Sequence, residues 1–159
     1  MNKLIVLTLA LLSFAAQADF TGTVIKVSDG DTIKVMDSQL DLHTVRMTGI
    51  DAPEKNQDYG MASRDNLKSM ILQKSVTVET DKTDRYGREL GKVLLGDTDI
   101  NLAQIKAGLA WHYKKYERDQ TTGDRVNYSA AEKEARAFNY GLWRSANPIP
   151  PWDFRKGMR

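Results

Sequence analysis

The chain reads FTGTVIKVSDGDTIKVM over residues 20–36, and this stretch decides the fold. Threonine, valine and isoleucine dominate both of its halves, and the turn residues Ser28-Asp29-Gly30 separate them. β-Branched residues on either side of such a turn are typical of paired strands. The pattern therefore predicts a hairpin of two strands, Phe20–Val27 and Thr32–Met36.

Further strands follow on both sides of a helical segment. Residues Leu42–Gly49 alternate, with Val45 and Met47 on one face and Thr44 and Arg46 on the other, which makes a third strand of a meander. The same reasoning predicts strands four and five at Ser75–Glu79 and Leu90–Leu95.

Three helices are expected around these strands. The first runs from about Met61 to Gln73, and the second is a short helix capped by Asp99 or Asn101 that stops near Gly108. The third runs over Ser129–Tyr140, with a capping box formed by Ser129 and Glu132. This order predicts an α+β, mainly β fold: a five-stranded Greek-key barrel of the OB type with about three helices packed on it.

The two ends of the chain differ from this central domain, which we place at residues 19–147. Residues 1–18 combine Lys3, the apolar run Leu4–Ala16 and the cleavage pattern Ala16-Gln17-Ala18, so we expect a secretory signal peptide and an exported protein. A buried N-terminal helix or a membrane anchor is the alternative interpretation. The proline-containing tail, residues 148–159, is expected to be extended and loosely held.

Composition limits the available chemistry. The chain has no cysteine, which excludes thiolate metal sites and cysteine nucleophiles and leaves oxygen ligands and two histidines, His43 and His112. The formal net charge is +2, and loss of Lys3 with the signal peptide lowers it to about +1. Such a balance is too small to indicate nucleic-acid binding by itself.

Three carboxylates stand where strands and turns meet. Asp31 follows the Asp29-Gly30 turn, and Asp51 and Glu54 flank Pro53 just after the third strand. Clustered carboxylates suit a hard cation such as Ca²⁺. Solvated turn residues would give the same spacing, and both interpretations stand at this point.

Two arginines accompany these acids. Arg46 lies within an apolar strand, and Arg88 closes the turn that begins at Asp84. Guanidinium groups match phosphate oxygens and remain charged, so they can hold the charge that develops during displacement at phosphorus. Either arginine alone could equally be a surface residue whose stem packs on the strand.

Together these segments resemble the staphylococcal (micrococcal) nuclease family, in its compact bacterial exported branch. The resemblance extends over about Thr23–Trp143 and rests on five segments in the family's order: Asp29-Gly30-Asp31-Thr32, Arg46 through Asp51-Ala52-Pro53-Glu54, Asp84-Arg85-Tyr86-Gly87-Arg88, Asn101-Leu102 with Gly108-Leu109-Ala110, and Gly141-Leu142-Trp143. It implies a calcium-dependent endonuclease that cleaves DNA and RNA with little sequence preference and leaves 3′-phosphates.

The resemblance also implies roles for single residues. Asp31, Asp51 and the backbone carbonyl of Ala52 would bind one Ca²⁺. Glu54 would act as the general base or orient the attacking water, and Arg46 and Arg88 would grip the scissile phosphate. Ala52 replaces a hydroxyl residue of the best-known member, and the connection from Pro53 to Gly60 is shorter than in that member.

The substrate-binding residues are expected at Tyr113, Lys114 and Tyr116. Stacking on aromatic rings tolerates any base, which suits weak sequence preference. Trp111 lies in the same region but also suits the core, and Lys115 and Arg118 suit either a phosphate-binding patch or a solvated surface. His43 and His112 are interpreted as structural.

Two alternatives to a nuclease stay open at this level. A non-catalytic OB module would bind single-stranded nucleic acid or peptides without turnover. A calcium-stabilised exported structural protein would use its carboxylates only for folding. In either case we expect a monomer with no stable membrane anchor once the signal peptide has been removed.

Overall fold

A computed structural model describes residues 19–157 of the chain. Its secondary structure begins with β1 (Phe20–Val27), β2 (Thr32–Asp37), β3 (Leu42–Met47) and the two-residue β4 (Ile50–Asp51), followed by helix α1 (Gly60–Ile71). The expected signal peptide, residues 1–18, lies outside the described residues. Across residues 19–157, no helix combines the length and apolar character needed to cross a membrane.

The second half of the chain completes the sheet and adds helices. It contains β5 (Ser75–Thr83), β6 (Glu89–Leu95), β7 (Thr98–Asp99), α2 (Ile100–Lys106), β8 (Trp111–His112), α3 (Thr122–Ala137) and α4 (Pro151–Phe154). Two 3₁₀ segments, Lys114–Asp119 and Gly141–Arg144, flank α3.

Five strands close into a barrel. Strand β1 pairs antiparallel with both β2 and β5, β2 pairs antiparallel with β3, and β5 pairs antiparallel with β6. The parallel pairing of β3 with β6 closes the ring. The predicted five-stranded OB-type barrel is therefore confirmed. The strand limits lie within about two residues of those expected from the alternation of side chains, except that β5 continues beyond the predicted Glu79 to Thr83.

The barrel interior and the inner faces of the helices form one core. Inward-facing residues of β1, β2, β3, β5 and β6 meet Leu67 and Ile71 of α1 and Ile105 of α2, all of which are fully buried. Tyr128 and Ala131 of α3 extend this core. A second cluster joins Trp111, Ala135, Leu142 and Trp143 beside the barrel.

The start of the last long helix was wrong in the sequence interpretation. Helix α3 begins at Thr122, and the hydroxyl of Thr121 accepts a hydrogen bond from the backbone N–H of Asp124. Ser129 therefore lies inside the helix and does not cap it, and the buried Glu132 serves other partners. Gly123 in the first turn has low helix propensity, whereas the alanines after Ser129 have high propensity, and the predicted helix therefore began too late.

The tail also departs from expectation, because it is neither extended throughout nor loosely held. Pro151 occupies the first position of α4, where a missing N–H costs nothing and the ring favours helical φ. Trp152 packs edge-on against Trp111, with 5.5 Å between the ring centroids. The prolines therefore start a helical turn instead of preventing one.

Candidate active site

An open cleft of about 1050 Å³ crosses one side of the barrel. Its walls come from the turn before β2, the segment after β3, the β5–β6 turn and the 3₁₀ segment Lys114–Asp119. The structure brings together in this cleft all six residues predicted for catalysis and metal binding, namely Asp31, Arg46, Asp51, Ala52, Glu54 and Arg88.

Asp31 is held at the cleft floor by close packing of its turn. A Cβ at Gly30 would lie against the hydroxyl of Ser63 on α1, so only glycine lets the turn approach this closely. The backbone N–H of Ala52 donates to Asp31 Oδ2 at 2.6 Å. The turn before β2 and the segment after β4 are thereby joined through the Asp31 carboxylate.

Arg46 lies between the two buried aspartates. Its Nη2 is 3.1 Å from Asp31 Oδ2 and 2.9 Å from Asp51 Oδ1. Its Nη1 donates to the carbonyls of Met47 and Ile50 at 2.8 and 3.0 Å. The backbone bonds fix the guanidinium, and the two carboxylates converge on one cationic nitrogen.

Burial makes the charge on Asp31 costly. Desolvation raises the pKa of Asp31 to about 7, although the Arg46 guanidinium opposes the rise, and the charges of Asp29 and Asp51 add to it. Asp51 itself is only 1% exposed. A positive charge beside these buried carboxylates is therefore needed to stabilise their ionised form.

Glu54 stands at the more open side of the acids. Its backbone N–H donates to Gln57 Oε1 at 3.0 Å, which fixes the turn that follows Pro53. Its side chain is 37% exposed and meets Arg155 Nη1 at 2.7 Å. The Glu54 carboxylate is thus accessible to water, and Arg155 connects it to Asp51 by binding both side chains.

Arg155 is a member of the site that the sequence interpretation missed. Its Nη2 is 2.8 Å from Asp51 Oδ2. The hydrogen bond to Asp51, and after it the hydrogen bond to Glu54, raises the pKa of Arg155 above its ordinary value. The missed signal was Trp152 and Phe154 next to this arginine, because two aromatic residues suit a docked segment better than a free tail.

Arg88 lies in the β5–β6 turn, directly before β6, and lines the same cleft. Both its Nε and its Nη2 lie 2.8 Å from Asp84 Oδ2. Burial raises the pKa of Asp84, but hydrogen bonds from the backbone N–H groups of Arg88 and Tyr86 and from the guanidinium hold it below its usual range. Asp84 therefore remains charged and orients Arg88 in the cleft wall.

The oxygen donors fit a hard cation in their chemistry. Asp31, Asp51 and Glu54 are carboxylates, and no softer ligand lies among them. Over residues 19–157, however, no three Asp, Glu or His side chains are arranged as a metal-holding group, because Arg46 and Arg155 lie between the acids. The positive charge that the acids require is supplied by guanidinium groups.

The predicted substrate residues separate into two sets. Tyr113 and Tyr116 line the cleft, and their rings meet edge-on with 5.2 Å between the centroids. Lys114 turns away from the cleft and binds the buried Glu132 carboxylate at 2.6 Å, whereas its neighbour Lys115 lines the cleft. Successive side chains of a 3₁₀ segment point about 120° apart, so the two neighbouring lysines face different sides.

The remaining candidates have structural surroundings. Trp111 is buried against Trp143, with 4.4 Å between the ring centroids. His112 is buried with Nε2 against Gln120 Oε1 at 2.9 Å. His43 lies on the outer surface of the barrel, and Arg118 is exposed outside the cleft.

Several basic residues in the cleft escaped the sequence interpretation. They lie on β5, on β6 and in the turn between these strands, and they are Lys82, Arg85 and Lys92. Lys82 pairs with Asp119 and Lys92 with Asp124, and no local pattern reveals contacts between positions so far apart along the chain. With Lys115 and Arg88 they bring five basic side chains to the cleft although the net charge of the chain is only +2.

Comparisons with known proteins agree with this geometry. The family model described as staphylococcal nuclease homologue matches residues 44–145. The chain is 43% identical over 157 residues to a protein of Escherichia coli O157:H7 named "Uncharacterized endonuclease", and the match covers 98% of both chains.

Two further relatives lead to the same family. A protein of Haemophilus influenzae, also named "Uncharacterized endonuclease", is 37% identical over 98% of this chain and 86% of its own length. A "Micrococcal nuclease" of Shigella flexneri is 36% identical over 94% of this chain and 88% of its own length. With its closed barrel, its cleft of acids and arginines and these matches, the chain belongs to the staphylococcal nuclease family.

Proposed function

We propose that this protein is a calcium-dependent endonuclease that hydrolyses phosphodiester bonds of DNA and RNA with low sequence preference and leaves 3′-phosphate ends. One observation carries the proposal: three carboxylates share a single cleft with two arginines, one on β3 and one directly before the neighbouring strand β6. The names of the relatives, endonuclease and micrococcal nuclease, support the reaction class.

Asp31, Asp51 and the backbone carbonyl of Ala52 would hold one calcium ion. The ion, when bound, supplies fixed positive charge beside the scissile phosphate. The support for this assignment is the all-oxygen donor set and the burial of both aspartates, which require a cation. Arg46 Nη2 lies where Asp31 and Asp51 converge, so a cation is already favoured at that point.

Glu54 would act as the general base for the attacking water. Its partly exposed carboxylate takes the proton, the water oxygen bonds to phosphorus, and the bond from phosphorus to the 5′ oxygen breaks. The 5′ oxygen leaves with a proton from solvent, and the phosphate remains on the 3′ side. Glu54 is the residue best placed for this step because it is the most exposed of the three acids.

Arg46 and Arg88 stabilise the charge that accumulates on the phosphoryl oxygens. Each guanidinium is oriented before substrate arrives, Arg46 by two backbone carbonyls and Arg88 by Asp84. Donors that are already in place need not reorganise during the reaction, which is the main source of such electrostatic stabilisation.

Tyr113 and Tyr116 would stack on bases while Lys115 and Lys82 contact phosphates. Stacking and phosphate contacts carry little sequence information, which accounts for the broad substrate range that we propose. The protein would act as a monomer and would be exported, and the proposal of export rests on the leader-like composition of residues 1–18. Cell fractionation and the molar mass in solution test this last part.

The direct experiment measures release of acid-soluble nucleotides from DNA and from RNA by the purified protein. We expect cleavage of both polymers in Ca²⁺ and none in excess chelator. The new DNA ends should resist polymerase extension until a phosphatase has removed the 3′-phosphate. Equal rates with and without chelator would refute the calcium dependence, and binding without cleavage would favour a non-catalytic module.

Substitution of the arginines tests their roles. Arg46→Gln and Arg88→Gln should each lower kcat by about 10³- to 10⁵-fold, because an arginine directed at a transferring phosphate contributes that much. Arg64→Gln is the matched control, since Arg64 lies on α1 and pairs with Asp65 outside the cleft. A loss of less than tenfold at Arg46 or Arg88 would show that the role is misassigned.

A further inference from the structure

The C-terminal segment, residues 148–157, folds back over the cleft and is docked at several points. Gln57 Nε2 donates to the carbonyl of Ile149 at 2.6 Å. The Trp152 ring stacks on the Tyr113 ring at an interplanar angle of 15°, with 5.3 Å between the centroids. These two contacts position the segment so that Arg155 lies in the cleft.

Arg155 binds the two acids that the proposed reaction needs most. Its Nη2 meets Asp51 Oδ2 at 2.8 Å, and its Nη1 meets Glu54 Oε1 at 2.7 Å and Asp51 Oδ1 at 3.3 Å. One planar fork therefore connects a proposed calcium ligand with the proposed base. Arg46 already binds Asp51 Oδ1 at 2.9 Å, so Arg155 takes the Asp51 oxygen that is left for a divalent cation.

Trp152 covers a second surface that the reaction would use. Its nearly parallel stacking on Tyr113 occupies a ring face on which a nucleic-acid base would lie. The same short segment thus blocks the cation position through Arg155 and the stacking surface through Trp152. These contacts are independent, because one is ionic and the other is aromatic.

We propose that residues 148–157 form an inhibitory C-terminal latch, in which Arg155 competes with the divalent cation at Asp51 and Glu54 while Trp152 competes with the substrate base at Tyr113. The proposal rests on the proposed calcium-dependent function. Calcium and nucleic acid both bind the open form better than the closed form, so each favours release of the latch and each assists the other.

The chain offers a variant and a matched control for calorimetry. Arg155→Gln removes the competing cation, and Lys156→Gln removes the same charge from the next position, where the lysine contacts only Asp153 among residues 19–157. Closure reduces apparent affinity by the fraction of molecules that are open. We expect Arg155→Gln to bind Ca²⁺ about tenfold more tightly than the parent, and Lys156→Gln to match the parent.

The outcomes separate the latch from the proposed function. If Arg155→Gln binds Ca²⁺ no more tightly than Lys156→Gln, the latch is refuted and the calcium proposal stands. If the parent and both variants bind no Ca²⁺ at millimolar concentration, the calcium proposal fails and the latch fails with it. Cooperative thermal unfolding of each variant, followed by circular dichroism, confirms that the comparison concerns folded protein.

Tryptophan emission gives a readout that does not depend on affinity or activity. Release of the latch would expose Trp152, so Ca²⁺ should shift the emission of the parent to longer wavelength. The shift should be clearly smaller in Trp152→Phe, which keeps Trp111 and Trp143 and retains only the change around Trp111, the neighbour of residue 152. A parent protein that is saturated with Ca²⁺, with unchanged Trp152 emission, would overturn the proposal.

Discussion

Two arginines bind the same buried carboxylate, Asp51, from opposite parts of the molecule. Arg46 lies on β3, is 15% exposed and is also fixed by two backbone carbonyls. Arg155 follows a four-residue helix, is 44% exposed and is fixed by carboxylates alone. The first is part of the barrel, whereas the second is docked on it. Similar distances to one carboxylate therefore do not mean that the two guanidinium groups are held equally firmly.

The surroundings of the two arginines explain this contrast. Strand β3 is paired on both edges, with β2 and with β6, so Arg46 moves only if the barrel opens. Helix α4 is too short to be stable by itself and depends on its contacts with the domain. Contacts of a short terminal element can break without unfolding the rest of the domain, and a regulatory element needs that property.

The largest effect expected from this contrast concerns stability in calcium-free buffer. Arg46→Gln should lower the free energy of unfolding by about 3–5 kcal/mol, because it leaves buried carboxylates without their partner. Arg155→Gln should cost at most about 1 kcal/mol, since its ion pairs are partly exposed. Urea denaturation of both variants measures the difference, with Arg64→Gln as the surface control. Equal losses for Arg46 and Arg155 would contradict the distinction.

A second prediction compares two tryptophans that touch Trp111. Trp143 is buried in the aromatic cluster beside α3, so Trp143→Ala should cost about 3–5 kcal/mol. Trp152 belongs to the latch and is only partly buried, and Trp152→Ala should cost about 1 kcal/mol. Thermal unfolding of the two variants tests this order. A larger loss at Trp152 would show that the tail is an integral part of the fold.

The same contrast separates what the sequence could reveal from what it could not. The alternation of β-branched residues located all five barrel strands, because period-two burial is a local property. The family motifs located Asp31, Arg46 and Arg88 in one cleft. Arg155 contacts Glu54 and Asp51, which lie 101 and 104 positions before it in the chain, and no local sequence pattern predicts contacts over such a separation.

Errors at the helix ends have a related cause. Thr121 and Ser129 can both cap a helix, and the alanines after Ser129 favoured the later start. Packing decides the choice, because α3 must begin early enough for Tyr128 to reach Asp99, whose oxygens its hydroxyl meets at 2.9 and 3.1 Å. A tertiary contact thus overrides the weaker local preference.

The smallest predicted effect uses a third cation, one whose charge depends on pH. His43 contacts Glu89 Oε1 at 2.7 Å and Asp37 Oδ2 at 3.1 Å, and it stacks on Phe20. Partial burial lowers the pKa of His43, but hydrogen bonds and charges from the two acids outweigh it and raise the pKa above 6.5. Unlike Arg155, this cation can be switched off within the ordinary pH range.

The sign of the effect follows from the raised pKa. The charged His43 stabilises the folded state fully below pH 6.5, and the contribution is lost as the pH rises through the folded-state pKa. His43→Gln should therefore lower the free energy of unfolding by up to about 1 kcal/mol at pH 5.5 and by much less at pH 8.5. Arg155→Gln should show the same loss at both pH values, because its guanidinium stays charged. A pH-independent loss at His43 would mean that packing on Phe20, and not charge, holds the barrel at this point.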